Sequence, residues 1–413
     1  MEFRPILSTL MRHKTAAALI VLEIAMTCAI ICNALFMIGD RIRQVREVSG
    51  IAENELVRVQ ITSIGSNDNA AALTRTDLAS LRGIPGVKAA TVTNQVPFVN
   101  SSWNSGVSLK PDQERPTLNA TNYMAEDQFV DTLGLRLIAG RNFTPDEYLE
   151  WDAVEKAEGP VRYPAVIITR RMAEKLFPDE PAEKALGKAI YVWGSEPTRI
   201  VGVLDHLVRP SMQGGPDAHE YSMVLPVRPH YDVGGNYLLR TEPGRRDEVL
   251  KAAVAALRAN GPNRIILDDN TKTMEELRSE FYQAARTMAW LLAAVCIGLL
   301  FITALGIVGL ASFWVQQRTK QIGVRRALGA TRGQILRYFQ TENFLLATLG
   351  ILLGMLGAYG LNQLLMSHYE LERLPWSYLP IGAVALWLLG QIAVFGPARR
   401  AAAVPPAVAT RSV

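Results

Sequence analysis

The stretch Gln316–Thr341, QQRTKQIGVRRALGATRGQILRYFQT, lies between two long apolar runs, and its reading orients the rest of the chain. It carries Arg318, Lys320, Arg325, Arg326, Arg332 and Arg337, and no acidic residue follows until Glu342. Basic residues in a short loop between membrane spans mark the cytoplasmic side, because positively charged loops resist translocation. The stretch also has internal order. Ile322, Val324 and Leu328, interleaved with Arg325 and Arg326, suit a short helix with one apolar and one basic side. Gly329 can end that helix, and Thr331 can cap the next by accepting a hydrogen bond from a free backbone N–H. Ile335, Leu336 and Phe339 then share one face of the second helix. Periodicity leaves two readings open: a docking element for a partner, or a charged anchor touching lipid headgroups.

Away from this stretch the composition divides. The 413 residues are 49% hydrophobic with a mean hydropathy of +0.11, which is high for a soluble protein. Apolar runs gather at both ends, and the middle is polar. The formal net charge is +4, but the basic residues concentrate beside the apolar runs, so membrane orientation explains them more simply than nucleic-acid binding. Cys28, Cys32 and Cys296 all fall in apolar runs, which leaves the polar middle no disulfide or zinc framework.

The opening MEFRPILSTLMRHK, with Arg4, Arg12 and Lys14, precedes an apolar run from about Thr15 to Ile38. A span needs about 20 such residues. The run ends in Phe36, Met37, Ile38, Gly39, Asp40 and Arg41 instead of a small-residue cleavage site, which favours an uncleaved span over a signal peptide. The polar segment then begins with an alternating strand, Leu56–Thr62. Thr76 can cap a short helix through Leu81, Ile84-Pro85-Gly86 turns the chain into a strand from Val87 to Val96, and Pro97 to Pro116 reads as loop or short strands. FVDTLGLRLIAGRNF, Phe129 to Phe143, reads as helix end, strand and turn. Further strands are expected at Ala165–Thr169, Ala189–Val192, Arg199–Leu204, Ser222–Val227 and Tyr237–Arg240, with helices at Arg170–Phe177 and Asp247–Arg258. In the last, Val249, Ala253, Ala256 and Leu257 fall on one side. Leu277 to Arg286 leads with helical polarity into the apolar run Thr287–Val315, as one helix projecting beyond the membrane.

The fold class expected is therefore a membrane protein with four transmembrane helices and a large α+β domain of two subdomains. The layout is an N-terminal segment and first span over residues 1–39, the polar domain over 40–285, a second span over 286–315 and the basic region over 316–341. A third span over 342–366, a loop over 367–378 holding His368, Glu370, Glu372 and Arg373, a fourth span over 379–396 and a tail over 397–413 with Arg399, Arg400 and Arg411 complete it. Both termini are expected in the cytoplasm.

RTKQIGVRRALGATRGQIL closely resembles the signature of the MacB-like/FtsX-like ABC transporter permeases, and the tail PARRAAAVPPAVATR resembles that family's C-terminal end. The segments FVDTLGLRLIAGRNF, VIITRRMAEKLFPDEPAEKALGKAIYV, RIVGVLDH and VLPVRP fall in the order of a MacB-like periplasmic core, so the resemblance covers nearly the whole chain. It implies a type VII ABC permease of the bacterial inner membrane that acts as a dimer with the same or a related permease. Motion would pass from cytoplasmic ABC ATPase subunits to the periplasmic domain, with a periplasmic adaptor and outer-membrane channel as further partners in some members. Family members export macrolides, peptides or toxins, extract lipoproteins, sense antimicrobial peptides or regulate cell-wall hydrolases. Carried over by position, Gln321, Ile322, Gly323, Val324 and Arg325, with Arg326, Ala327, Leu328, Gly329 and Ala330, form the coupling helix that seats in the ATPase. The family commonly has an acidic residue where this chain has Gln321, which leaves Arg325 and Arg326 as the expected polar contacts. No GxxxxGK[ST] loop occurs, since Gly187-Lys188 lacks both the preceding glycine spacing and the following Ser or Thr. The expectation is a permease without enzymatic activity and without a cofactor of its own, with ATP and Mg handled by a separate ATPase subunit.

Other candidates have competing readings. Glu23 sits in the first span, where an ionised carboxylate is costly unless paired or hydrated; it either lines a cavity or makes an interior packing contact. Asn33 is read as an interhelical hydrogen bond. Gly350 and Gly354 form a GxxxG pair, with Gly357 and Gly360 beyond it, that can pack within the chain or across a dimer. His206, His219 and His230, with Asp205 and Glu220, match no zinc spacing and read as solvated loop histidines. No GxSxG elbow or Ser, His and Asp set stands out, so a membrane-bound hydrolase is disfavoured. The sequons at Asn100 and Asn119 are expected by chance, and Trp103 is either a partner contact or a buried aromatic. The function expected is export of a peptide, antibiotic or similar compound from the periplasmic side, the alternative being a permease-like regulator that controls a periplasmic partner or senses antimicrobial peptides.

Overall fold

A computed structural model describes residues 14–65, 68–111, 113–159, 161–212, 218–261, 264–369 and 373–405. Arg4, Arg12, Glu370, Glu372 and Arg411 lie outside the described residues. The chain divides into two units: residues 47–283, and a helical unit from its two flanks.

Lys14–Arg46 forms one helix, α1, which passes residue 39 because Asp40, Arg43 and Gln44 bond one another along its polar end. The domain accordingly starts at Glu47 and not at residue 40. Its first sheet is built on β1 (Leu56–Ser63), and α2 (Ala70–Arg82) and β2 (Val87–Thr93) follow. Thr76 is not the helix cap: the helix begins earlier, and the Thr76 hydroxyl donates back to the Ala72 carbonyl within it.

A second sheet takes up β3 (Asn104–Ser108), β4 (Leu118–Met124), helix α3 (Phe129–Leu133) and β5 (Leu137–Gly140). β7 (Ala165–Thr169), α5 (Arg170–Leu176), β8 (Ala189–Val192), β9 (Pro197–Leu204) and β10 (Ser222–Leu225) complete it, while a short strand β6 (Leu149–Glu150), which leads into α4 (Trp151–Glu155), pairs with β11 (Val227–Arg228) as a separate two-stranded sheet. The order is β5-β9-β7-β10-β4-β3-β8, and β8 pairs with β9 as well as β3, so six strands close on themselves with β5 outside the ring. Closure removes the free edges and leaves an interior filled by side chains. Val107, Ala120, Val166, Ile168, Ile190, Val203, Met223 and Leu225 are all in that buried cluster.

The chain then returns to the first sheet through β12 (Asn236–Thr241), α6 (Arg246–Asn260), β13 (Arg264–Ile266) and β14 (Lys272–Thr273), giving the order β13-β1-β12-β2 with β14 on β1. Val57, Val59 and Leu239 pack with Leu78 and Leu81 of α2 and Val249, Ala253 and Leu257 of α6. Ala256 is only partly buried, so the apolar stripe of α6 is narrower than expected. Asp77, fully buried, accepts hydrogen bonds from the Tyr237 hydroxyl at 2.7 Å, Asn260 Nδ2 at 3.0 Å and Arg264 Nη2 at 3.0 Å, which ties α2, β12, α6 and β13 together.

After α7 (Met274–Phe281), opened by a capping box between Thr273 and Glu276, the helix stops at Tyr282. The helix expected to run unbroken from Leu277 is therefore two, because Tyr282 leaves helical geometry and its ring is buried against Phe98.

The helical unit comprises α1, α8 (Gln283–Gln317), α9 (Thr319–Ala327), α10 (Arg332–Tyr369) and α11 (Tyr378–Ala402). α1, α8, α10 and α11 are long and apolar enough to cross a membrane. Ile20, Ile24, Cys28 and Cys32 make one face of α1, at the spacing of a helix stripe. That face meets α10 at its glycines: a Cβ on Gly350 would lie 2.8 Å from Ile24 Cβ, and one on Gly354 2.5 Å from Cys28 Cβ. The GxxxG pair thus packs within the chain.

Candidate functional site

The loop between the second and third spans folds into α9 and two turns. Arg318, between α8 and α9, turns its guanidinium inward. Its Nη1 bonds both carboxylate oxygens of Glu342 on α10, at 3.0 and 2.9 Å, and the group lies over the Trp314 ring. Both side chains are almost fully buried, so Arg318 is not one of the headgroup-facing charges that the sequence suggested. At the other end Gly329 has φ +98°, which a side chain rarely adopts. Thr331 follows as a cap: Gln334 N donates to the Thr331 hydroxyl at 3.3 Å, and Thr331 N donates to Gln334 Oε1 at 2.8 Å.

α9 divides differently from the expected apolar and basic sides. Ile322 and Gly323 face inward, where Ile322 packs with Ile335 and Phe339 of α10 and Ala398, Ala401 and Ala402 of α11. Residues two apart on a helix lie on nearly opposite sides, so Val324 cannot share the face of Ile322. Val324 is 51% exposed and Leu328 in the following turn 83% exposed, and with Gln321 and Ala327 they form the outward surface. Arg325 stands over the Tyr338 ring at 5.0 Å and is exposed. Arg326 is partly buried, and its Nη1 donates to the Ala402 carbonyl at 3.0 Å, bonding one of the last carbonyls of α11. Gly329 is exposed and Ala330 half-buried. The site is a short helix with a fixed inner face and an outer face of mostly apolar side chains beside the exposed Arg325. The sequence signal for the Arg318 pair is Glu342, the one acid after a run of bases.

Within the spans, the Glu23 carboxylate lies against Gly306 of α8, where a Cβ would come within 2.4 Å of it. Asn33 Nδ2 donates to the Ala358 carbonyl of α10 at 3.0 Å, an interhelical bond as its position suggested. The histidines do not converge. His206 Nδ1 is 3.0 Å from Glu220, His219 Nε2 is 3.0 Å from Glu47, and His230 lies between Asp152 and Asp232. His219 is buried, which corrects the solvated-loop reading for that residue. Burial and then Glu220 push the Glu47 carboxyl up to about 7. Burial, then Arg209 and Arg278, push His219 down to about 4. Although 3.0 Å is an ion-pair distance, both shifts favour the neutral forms, and Nε2 is buried without a hydrogen-bond partner. Trp103 is 36% exposed and meets Trp151 edge to face at 6.0 Å.

Two family models match the chain: the MacB-like periplasmic core domain over residues 18–257 and the FtsX-like permease C-terminal region over residues 293–406. Among relatives, an uncharacterized ABC transporter permease of Bacillus subtilis, YknZ, is 26% identical over 359 residues, covering 84% of this chain and 82% of its own length. The macrolide export ATP-binding/permease protein MacB of Acinetobacter baylyi is 24% identical over 98% of this chain, which spans 59% of that protein. MacB of Bradyrhizobium diazoefficiens is 30% identical over 247 residues, covering 57% of this chain and 36% of that protein.

Proposed function

The chain belongs to the ABC transporter permeases with a MacB-like periplasmic core and an FtsX-like C-terminal region, and from that premise we propose that it transmits ATPase-driven motion to its periplasmic domain to export a peptide, antibiotic or similar compound. The observation that carries this reading is the construction of α9: an inner face held by Ile322, Arg326 and the adjoining Arg318–Glu342 pair, and an outer face of Val324 and Leu328 left uncovered. A helix fixed on one side can pass a push to α8 and α10 instead of yielding to it. The ABC ATPase, with its ATP and Mg2+, docks on the outer face in the cytoplasm, where both termini of the permease also lie.

A second permease, the same or related, completes the pair, and α8 supports this. Only 17% of its apolar window is buried in the single chain, against 56% for α1. Lipid and the second subunit share that exposed face. A periplasmic adaptor and an outer-membrane channel extend the path in this reading.

The test uses site-directed crosslinking. Cys28, Cys32 and Cys296 are all buried, so a cysteine introduced at Leu328 is the accessible thiol on the cytoplasmic surface. Leu328→Cys is expected to crosslink to a co-expressed ABC ATPase carrying a cysteine in its permease-facing groove, and Ile335→Cys is not. Equal labelling by both, or none at Leu328, would remove the docking assignment.

A further inference from the structure

A cluster outside the membrane unit has no part in ATPase docking. β6 and β11 pair in parallel with Leu149 opposite Val227 and Glu150 opposite Arg228. Continuing that register places Asp152 beside His230 where the strands end, and α4 returns Glu155 to the same side one turn on. Ligating atoms of Asp152, Glu155 and His230 all lie within 4.8 Å of one another. Asp152 and His230 also line a cleft of about 310 Å3 in this domain.

The surroundings of His230 are the second observation. Its ring is 13% exposed, with Nε2 at 3.3 Å from Asp152 Oδ1 and Nδ1 at 3.9 Å from Asp232 Oδ2. Nδ1 and Asp232 Oδ1 are both buried without a hydrogen-bond partner. A neutral imidazole has one N–H and one lone pair, so whichever nitrogen is bare faces a carboxylate oxygen. With Nδ1–H turned toward Asp232, the Nε2 lone pair points at Asp152, and a cation between them relieves the repulsion. At 3.9 Å Asp232 is not hydrogen-bonded to Nδ1 here, but a carboxylate behind the outer nitrogen of a metal-binding histidine is the usual device for fixing its tautomer, and a small shift of the ring would bring the two together.

We propose that Asp152, Glu155 and His230 bind a zinc ion, oriented by Asp232, with the fourth position open to water in the cleft. Imidazole nitrogen and carboxylate oxygen are both zinc ligand types, and tetrahedral bonds of about 2.0–2.1 Å put neighbouring ligand atoms about 3.3 Å apart. The Asp152 to His230 separation has that value already. Asp152 and Glu155 are exposed and free to close the remaining distance. The ion would pin α4 to the segment after β11, which the two-residue strands hold only weakly.

The experiment uses the full-length protein in detergent, stripped with chelator, dialysed against micromolar Zn2+ and assayed for metal by mass spectrometry. One zinc per chain is expected. Asp152→Asn with Glu155→Gln, whose side chains are exposed and leave the fold intact, should lose it, and so should His230→Ala. Asp232→Asn should weaken binding by about tenfold or more. His206→Ala, which alters the separate pair with Glu220, should leave it unchanged. Co2+ in place of zinc should give the visible absorption of a tetrahedral site, absent in His230→Ala. Failure of the wild type to retain zinc overturns the proposal. Retention by the Asp152/Glu155 double variant shows adventitious surface binding and overturns it equally.

Discussion

Truncating the outer face of α9 gives the sharpest test of how this permease meets its ATPase. In the free chain Leu328 is 83% exposed and Val324 51% exposed, so neither contributes much to the fold. Full burial of such a side chain stabilises by about 1.5–3 kcal/mol, and covering the exposed share of both is worth roughly 2–4 kcal/mol. Alanine keeps each Cβ, so Val324→Ala with Leu328→Ala should cost about 2 kcal/mol of docking, or roughly thirtyfold in Kd at about 1.4 kcal/mol per tenfold. The assay is titration of the purified permease in nanodiscs with labelled cognate ATPase, alongside a thermal melt of the permease alone. The double variant should bind weakly and melt as the wild type does. Ile322→Ala should behave in the opposite sense: Ile322 is 6% exposed among Ile335, Phe339 and the end of α11, and its truncation costs about 2–5 kcal/mol of stability. A Kd within twofold of wild type for Val324→Ala/Leu328→Ala, or a binding loss that merely tracks a lowered melting temperature, would refute the assignment of the two faces.

Three further outcomes follow from the packing. Glu342→Ala leaves the Arg318 guanidinium buried and uncompensated, and should destabilise by about 3–5 kcal/mol in a detergent melt, whereas Arg318→Met with Glu342→Leu should recover most of that loss. Gly354→Ala forces a Cβ to 2.5 Å from Cys28 and should cost about 1–3 kcal/mol, while Gly360→Ala, with nothing within 4 Å, should be neutral; equal melting temperatures for the two would contradict the α1–α10 contact. For Glu47 the folded pKa of about 7 stands above the ordinary 4.5, so its contribution is fully present below pH 4.5 and is lost as pH rises through 7. His219, held down near 4, has the opposite sign: its contribution is present above pH 6.5 and is lost as pH falls toward 4. Glu47→Gln keeps the protonated shape, and its stability advantage over wild type should grow by up to about 1 kcal/mol between pH 6 and 8, after allowance for partial exposure; a constant difference across that range would refute the raised carboxyl.

The four spans and most strands of the domain were legible because hydropathy and period-two alternation act locally. What escaped was set by partners distant in sequence. β4, Leu118–Met124, reads as polar through its Asn and Thr residues, yet Thr121 and Asn122 are buried: Thr121 donates to Asn104 Oδ1 at 2.6 Å, and Asn122 Nδ2 to Ser105 Oγ at 2.8 Å. No window of sequence announces that a neighbouring strand will satisfy those groups. The double pairing of β8 escaped for the same reason, since closure of a sheet leaves no mark on any one strand. The α9 region shows the complementary error. Its helix, turn and cap were readable from Gly329 and Thr331, but the apolar side was assembled from Ile322, Val324 and Leu328 without regard to the angle of each around the axis.

That angle changes what the basic stretch is for. Of its arginines, Arg318 is consumed by Glu342 and Arg326 by the end of α11, so two of the charges that orient the chain also bind α9 and its N-terminal turn to two other helices, α10 and α11. A simple headgroup anchor would gain little from such clamps, because surface binding needs only free cations beside apolar side chains. A force-bearing contact does gain from them. With α9 clamped at Arg318, Ile322 and Arg326, a load applied at Leu328 cannot be absorbed by rotation of α9 alone and must displace α8 or α10 with it. Under the proposed mechanism the buried pair therefore governs transmission and the exposed leucine governs docking. Arg318→Met with Glu342→Leu should bind the ATPase normally yet uncouple its ATP hydrolysis from transport if the polar clamp itself carries the load, whereas Leu328→Ala should lower both together. Full coupling in the double variant would show that apolar packing around Ile322 suffices to carry the motion.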